Sequence, residues 1–276
     1  MEFSGSGSGS LRLIDCSTKW QNIGKEFPDL HSFLEAGDVR LLKASKWTKV
    51  QLWHAKGCPS LILKSYKMRC PYFPFLKKMR FVPIPRVFRA WDAGIVLAAM
   101  GVPLAEQLAL VRLSIMKIVI VMFYIEGQPL MDWRPDHVDD EDLILEKIGE
   151  TVAKMHKAGI VHGDLKWSNI ILHDGGKGLE PYFIDLDGAK FLKSMQCKSS
   201  KKLRAQDIAR FIVGGIESDV SLDLLISFII GYASIANDVH ELIKPVVSRM
   251  RILFGRKQLE GVQEATEKLE LVMRGL

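Results

Sequence analysis

The chain has 276 residues, 48% hydrophobic and 25% charged, a balance that provides for a sizeable core in one domain of two lobes or two small domains. Its four cysteines (Cys16, Cys58, Cys70 and Cys197) show no CxxC or other metal-ligand spacing, so neither a zinc site nor a disulfide framework is suggested and a reducing compartment is the simpler reading. The net charge of +6 points to an anionic partner, and no signal peptide is read at the start.

Residues 3–10 read FSGSGSGS, an artificial linker, so residues 1–10 are set apart from the fold and the chain proper is read from about Leu11. Residues 11–37 mix polar and apolar positions without a clear period. Pro28-Asp29 predicts the start of a short helix over 30–36, stopped by Gly37. The pattern then turns to strands at 39–42, 50–53 and 61–66, with a Gly57-Cys58-Pro59 turn before the third. The first turn, residues 44–49, holds no glycine to bring backbone amides close to a phosphate; Lys46, Thr48 or Lys49 would have to serve instead.

Seven Lys and Arg residues and no acid lie between Ser65 and Trp91, interleaved with Tyr66, Tyr72, Phe73, Phe75, Phe81 and four prolines. The stretch reads either as a solvated loop with its aromatic rings tucked inward or as a surface for anionic lipid headgroups. Residues 86–100 are helical and offer one acid, Asp92. Strands at 108–114 and 117–124 run into Ile125-Glu126-Gly127-Gln128-Pro129-Leu130. The acidic residues 139–142 open a helix that reaches Ala158, as the helix dipole favours, and Gly159 ends it. The apolar runs 113–125 and 220–236 fall short of the ~20 residues that span a bilayer and are read as buried strands and a buried helix.

The chemistry concentrates in His162-Gly163-Asp164-Leu165-Lys166-Trp167-Ser168-Asn169 and, after the strand-like Tyr182-Phe183-Ile184, in Asp185-Leu186-Asp187-Gly188. An Asp and an Asn five positions apart in one loop can present a carboxylate to a substrate hydroxyl and an amide to a metal, the H-x-D-x-x-x-x-N arrangement of phosphoryl transfer. A rigid strand before Asp185 would hold a second metal ligand. Residues 190–204 carry six basic residues and no acid. Asp207 is expected to open a buried helix near Ala205 and to accept backbone N–H bonds from the catalytic loop, a structural role. His162 is read as packing the loop. Residues 222–236 and 239–275 are helical by period, with a basic section at 244–257.

Taken in order, Lys64 at the end of the third strand, YIEGQPL, HGDLKWSN, IDLDGAK and Asp207 make residues 39–211 resemble the protein-kinase fold. The implied class is α+β and two-lobed, with a small antiparallel β lobe over 11–127 and a larger helical lobe over 128–276. The missing glycine loop, the absence of a closing Ala-Pro-Glu and the Asp-x-Asp form of the metal motif are more similar to the bacterial lipopolysaccharide core (Kdo/heptose) kinase family. That resemblance implies ATP and Mg2+ as cofactors, an inner-core sugar hydroxyl as acceptor, and work at the cytoplasmic face of the inner membrane. It assigns Asp164 as base, Lys166 as neutraliser of charge on the transferring phosphoryl, and Lys64 and the backbone of Ile125 and Glu126 to the nucleotide. Asn169 and Asp185 would hold the metal, joined by Asp187 unless that residue contacts substrate. No nucleic acid is expected as a partner. The helix Glu that pairs with the strand Lys in kinases is missing, and Asp92 is the candidate substitute. A small atypical Ser/Thr protein kinase and a nucleotide-binding pseudokinase scaffold remain the alternatives.

Overall fold

The computed structural model describes residues 11–24, 27, 30–68, 86–133, 138–176 and 178–276. Most of the basic, aromatic stretch, including Lys77, Lys78 and Arg80, lies outside the described residues, as does the Pro28-Asp29 helix start. The chain divides into two compact units, one comprising residues up to Ile95 with Ala105–Tyr124, the other Val96–Leu104 with Ile125–Leu276.

The first unit is built on six antiparallel strands. These are β1 (Arg12–Cys16), β2 (Asp38–Ala44), β3 (Thr48–His54), β4 (Leu61–Lys67), β5 (Gln107–Ser114) and β6 (Lys117–Phe123), in the order β1-β5-β6-β4-β3-β2. The β4–β6 pairing is continuous from Leu61 against Phe123 to Lys67 against Lys117. Strand β1 is the element the sequence hides. Its register against β5 slips between Leu13 and Asp15, so the alternation that marks a half-buried strand is broken within five residues. Helices α1 (Thr18–Gly24) and α2 (Leu30–Ala36) follow it, and their role is packing: Trp20 meets Phe33 at 4.9 Å and Phe33 meets Trp53 of β3 at 4.6 Å, all three rings nearly inaccessible. Helix α3 (Arg86–Ala99) is tied to β1 by Trp91, whose Nε1 donates to Asp15 Oδ2 at 2.9 Å.

The second unit is mainly helical. After β7 (Gln128–Pro129) come α4 (Val138–Lys157), β8 (Ile160–Val161), the hairpin β9 (Ile170–Asp174) and β10 (Leu179–Phe183), and β11 (Lys190–Phe191). Helices α5 (Lys198–Glu217), α6 (Leu222–Ile235), α7 (Val239–Lys257) and α8 (Val262–Gly275) complete it. Helices α4 and α6 approach closely through two glycines: a Cβ on Gly149 would lie 2.0 Å from the Phe228 carbonyl oxygen, and one on Gly231 2.1 Å from that of Glu146. No described helix is long and apolar enough to cross a membrane.

Asp207 does not open its helix. Helix α5 begins at Lys198, which sets Asp207 in the middle. The sequence conceals the first turns because the positions they bury are Ser200 and Arg204, which carry no hydrophobic period.

Candidate active site

Every residue of the loop 162–169 and of its partner loop belongs to the second unit, where a hairpin brings the two together. Strands β9 and β10 pair up to Ile170 against Phe183, and one step beyond, the Ile184 N–H donates to the Asn169 carbonyl at 3.0 Å. The ladder thus fixes Asn169 and Asp185 at its end. Asp185 sits at φ 62°, the left-handed region, and its carboxylate accepts from the Asp187 N–H at 3.4 Å. A non-glycine residue held there stores strain, a mark that gathers at functional sites.

Asp164 is the centre of the polar contacts. Its Oδ2 lies 3.1 Å from Lys166 Nζ and its Oδ1 3.1 Å from Arg210, whose guanidinium also donates to the Gly163 carbonyl. Asn169 Nδ2 donates to the Asp164 backbone carbonyl at 3.0 Å, which fixes the amide and leaves Oδ1 as its acceptor end. An amide oxygen and carboxylates are hard oxygen donors of the kind Mg2+ takes, so Asn169 and Asp185 fit that ion, with Asp187 beside them. The Asp164 side chain is 42% exposed, open enough for an acceptor hydroxyl to reach it.

The loop is held from beneath. Asp207, fully buried, accepts from the backbone N–H of His162 at 2.7 Å and of Gly163 at 2.9 Å, the bonds anticipated for it. Behind Asp207 runs a buried chain of bonds. Arg204 pairs with both carboxylate oxygens of Asp238 at 2.7 Å and donates to the Tyr232 hydroxyl from Nε and a terminal nitrogen. With that oxygen accepting, the Tyr232 proton goes to His156 Nδ1 at 2.9 Å, which leaves His156 Nε2–H to face Asp207 at 3.4 Å. Burial, outweighing Asp207, holds the His156 pKa below its ordinary value, and burial pushes the Tyr232 hydroxyl up to about 12. His162 packs as expected: it is 1% exposed and its Nε2 donates to the Ile184 carbonyl at 3.0 Å.

Arg210 and the His156–Tyr232–Arg204–Asp238 network are the participants that sequence reasoning missed. Arg210 had a signal, since it lies one helical turn after Asp207 on the same helix. The network had none, because its members come from α4, α5, α6 and the start of α7.

In the first unit, Lys64 occupies β4, paired in register with Val50 and Ile120, and is 7% exposed with its Nζ 5.5 Å from the Tyr66 ring centroid. Asp92 is half-buried on α3. The glycine-free turn is closed by Ser45, whose hydroxyl accepts from the Trp47 and Thr48 N–H groups and bonds the Thr48 hydroxyl at 2.8 Å. Those amides, which a glycine-rich loop would aim at phosphate, are spent inside the turn. In the second unit, the Glu126 carbonyl accepts from His173 Nδ1 at 2.6 Å, and Ile125 is half-buried.

Residues 117–212 match the model of the lipopolysaccharide kinase (Kdo/WaaP) family. The chain is 43% identical over 74 residues to KEOPS complex subunit Bud32 of Pyrococcus abyssi, a match covering 26% of this chain and about a third (32%) of that relative. Among solved structures it is similar to WaaP in complex with acyl carrier protein (TM-score 0.58, 16% identity, covering 95% of this chain and 98% of that one). It is likewise similar to amicoumacin kinase hAmiN in complex with AMP-PNP, Ca2+ and amicoumacin (TM-score 0.57, 11% identity, 92% and 94%). The chain therefore has the α+β fold of the protein-kinase-like phosphotransferases, and its segment 117–212, which holds the loop 162–169 and the Asp185 loop, matches the lipopolysaccharide kinase (Kdo/WaaP) family.

Proposed function

We propose that the protein transfers the γ-phosphoryl group of ATP to a hydroxyl of a lipopolysaccharide inner-core sugar, Kdo or heptose. The observation that carries this reading is Asp164, exposed and flanked by Lys166 and Arg210, in a loop that Asn169 braces within the matched segment. The sugar oxygen attacks the γ-phosphorus as its proton passes to the Asp164 carboxylate, and the bond from phosphorus to the β-phosphate oxygen breaks to release ADP. Lys166 offsets charge spread over the transferring oxygens; such chemistry depends mainly on positioning and electrostatics. Asn169 and Asp185 would hold Mg2+, with Asp187 a further ligand or an acceptor contact, and the ion would supply neutralisation of phosphate charge. Lys64 grips the nucleotide phosphates, and the backbone at Ile125 and Glu126 takes the adenine.

Such an acceptor calls for work at the cytoplasmic face of the inner membrane, with residues 67–89 as the part that meets anionic headgroups. The similarity to Bud32 favours a second reading, a small atypical Ser/Thr protein kinase. Incubation with labelled ATP and either deep-rough lipopolysaccharide or a generic protein substrate separates the two: label on the lipopolysaccharide alone supports the proposal, and label on protein hydroxyls alone overturns it.

A further inference from the structure

Helices α5 and α7 run parallel in a fixed register, because Lys201 pairs with Glu241 near one end of the seam and Glu217 with Lys257 near the other, the same interval apart in sequence. Arg204 and Asp238 reinforce the first end. Between these complementary pairs the pattern reverses. Arg210 of α5 falls level with Arg249 of α7, and Arg256 lies two turns further along the same face of α7, about 10 Å away. The three cations are near enough to act on one another: burial first, then the charges of Arg210 and Arg256, hold the Arg249 guanidinium below its usual pKa. The Arg249 Nε is buried with no hydrogen-bond partner among the described residues, and neither Arg249 nor Arg256 has an ion-pair partner there. Among the described residues, the one carboxylate paired with the group is Asp164, through Arg210.

A seam closed by opposite charges at both ends but carrying mutually repelling arginines in its middle gives up stability there, and a bound anion would return it. Guanidinium groups present paired donors that match the oxygens of phosphate and carboxylate. We propose that Arg210, Arg249 and Arg256 form an oxyanion subsite beside Asp164 that receives a phosphate or carboxylate borne by the acceptor. Holding that anion sets the neighbouring hydroxyl against the Asp164 carboxylate. The subsite rests on the proposed phosphotransfer only for the identity of the molecule that brings the anion. It also limits acceptors to those that carry such a group near the reacting hydroxyl.

The test begins without nucleotide or acceptor, by equilibrium dialysis of labelled inorganic phosphate against the full chain, Arg249→Gln and Arg256→Gln. Wild-type protein should bind phosphate saturably, Arg249→Gln about tenfold more weakly, and Arg256→Gln, at an exposed position that leaves folding intact, about threefold more weakly. In turnover assays both variants should raise the KM for deep-rough lipopolysaccharide and leave that for ATP unchanged, with phosphate competing against the acceptor. Equal phosphate binding by all three proteins, or phosphate competing with ATP while the acceptor KM stays fixed, overturns the subsite. A free phosphate ion as the true ligand would appear as tight phosphate binding without any change in acceptor KM, and that too overturns the acceptor role. Phosphate binding that follows the arginines while no lipopolysaccharide takes label would overturn the proposed function and support the subsite.

Discussion

Gly163 and Gly188 meet backbone to backbone: a Cβ on Gly163 would lie 2.0 Å from the Gly188 carbonyl oxygen, and one on Gly188 would lie 2.9 Å from the Gly163 carbonyl carbon. The loop 162–169 and the Asp185 loop are therefore in direct main-chain contact, and the position before Asp164 cannot hold a side chain while they stay so. Gly163 also has φ +77°, which an L side chain rarely adopts.

Gly163→Ala should destabilise the protein by about 3 kcal/mol or more, from left-handed strain and overpacking together, and should abolish turnover. Gly176 is the control, since it has nearly the same φ, +78°, with nothing within 4 Å of the point a Cβ would occupy. Gly176→Ala should cost about 1 kcal/mol from strain alone. Denaturant unfolding of the two variants checks this, and equal losses would mean that contact with Gly188 contributes nothing.

Asp164→Asn should lower turnover by at least about 100-fold while nucleotide binding persists, because the carboxylate acts on the acceptor's proton. Asp185→Asn should weaken Mg·ATP binding and turnover together. Asn accepts the left-handed conformation seen at Asp185, so that substitution removes charge without forcing the loop to move. Magnesium titration of nucleotide binding separates the two variants, and an Asp164→Asn enzyme retaining more than ~10% activity would remove Asp164 as the base.

Lys64 and Asp92 give a test of the missing helix Glu. If they pair, Lys64→Ala and Asp92→Ala should be non-additive in ATP affinity by about 0.5–3 kcal/mol, as residues in contact are. Additive losses in a double-mutant cycle would mean that Lys64 is held by other groups.

How much of this the sequence discloses depends on whether the information is local. The strands around Lys64, the loop 162–169 and the helix 222–235 announce themselves through apolar period and motif spacing within short windows. Strand β1 does not, because a bulge breaks its alternation. The start of α5 does not either, because a buried Arg stands where the period calls for an apolar residue; Arg204 is satisfied by Asp238, which lies far along the chain and is brought close by the packing of α7. The same holds for Arg210 beside Asp164. A residue's neighbours in sequence say what element it occupies, but which charges meet across that element is decided by the register of the helices, which no single segment encodes.

Replacing Lys77, Lys78 and Arg80 together by Ser should reduce binding to anionic vesicles by roughly 3 kcal/mol, at about 1 kcal/mol for each basic residue near the headgroups. The attraction should weaken steeply as salt rises, since it decays within a Debye length of about 8 Å at physiological ionic strength. Vesicle co-sedimentation measures both. Binding equal to wild type would assign the stretch to a solvated loop and leave the kinase reading untouched.

His156 makes the support of the catalytic loop sensitive to acid. Its pKa is lower in the folded chain than the ordinary 6.5, chiefly through burial, so the unfolded chain takes up a proton first as pH falls. The stabilisation is then fully present above about pH 6.5 and is lost progressively below it, with a slope of at most about 1.4 kcal/mol per pH unit for this one group. The bond pattern explains why the folded state resists the proton: His156 Nδ1 already accepts the Tyr232 hydroxyl, and the hydroxyl oxygen, taking two N–H bonds from Arg204, has no acceptor site left for a protonated Nδ1–H. A protonated ring would set an N–H against an O–H and add a cation near the buried Arg204. Unfolding curves taken from pH 7 to pH 5 should show stability falling, and His156→Gln, which cannot titrate, should flatten that fall while lowering stability throughout. A variant with the wild-type slope would place the acid sensitivity elsewhere and leave the anchoring of His162 and Gly163 to Asp207 alone.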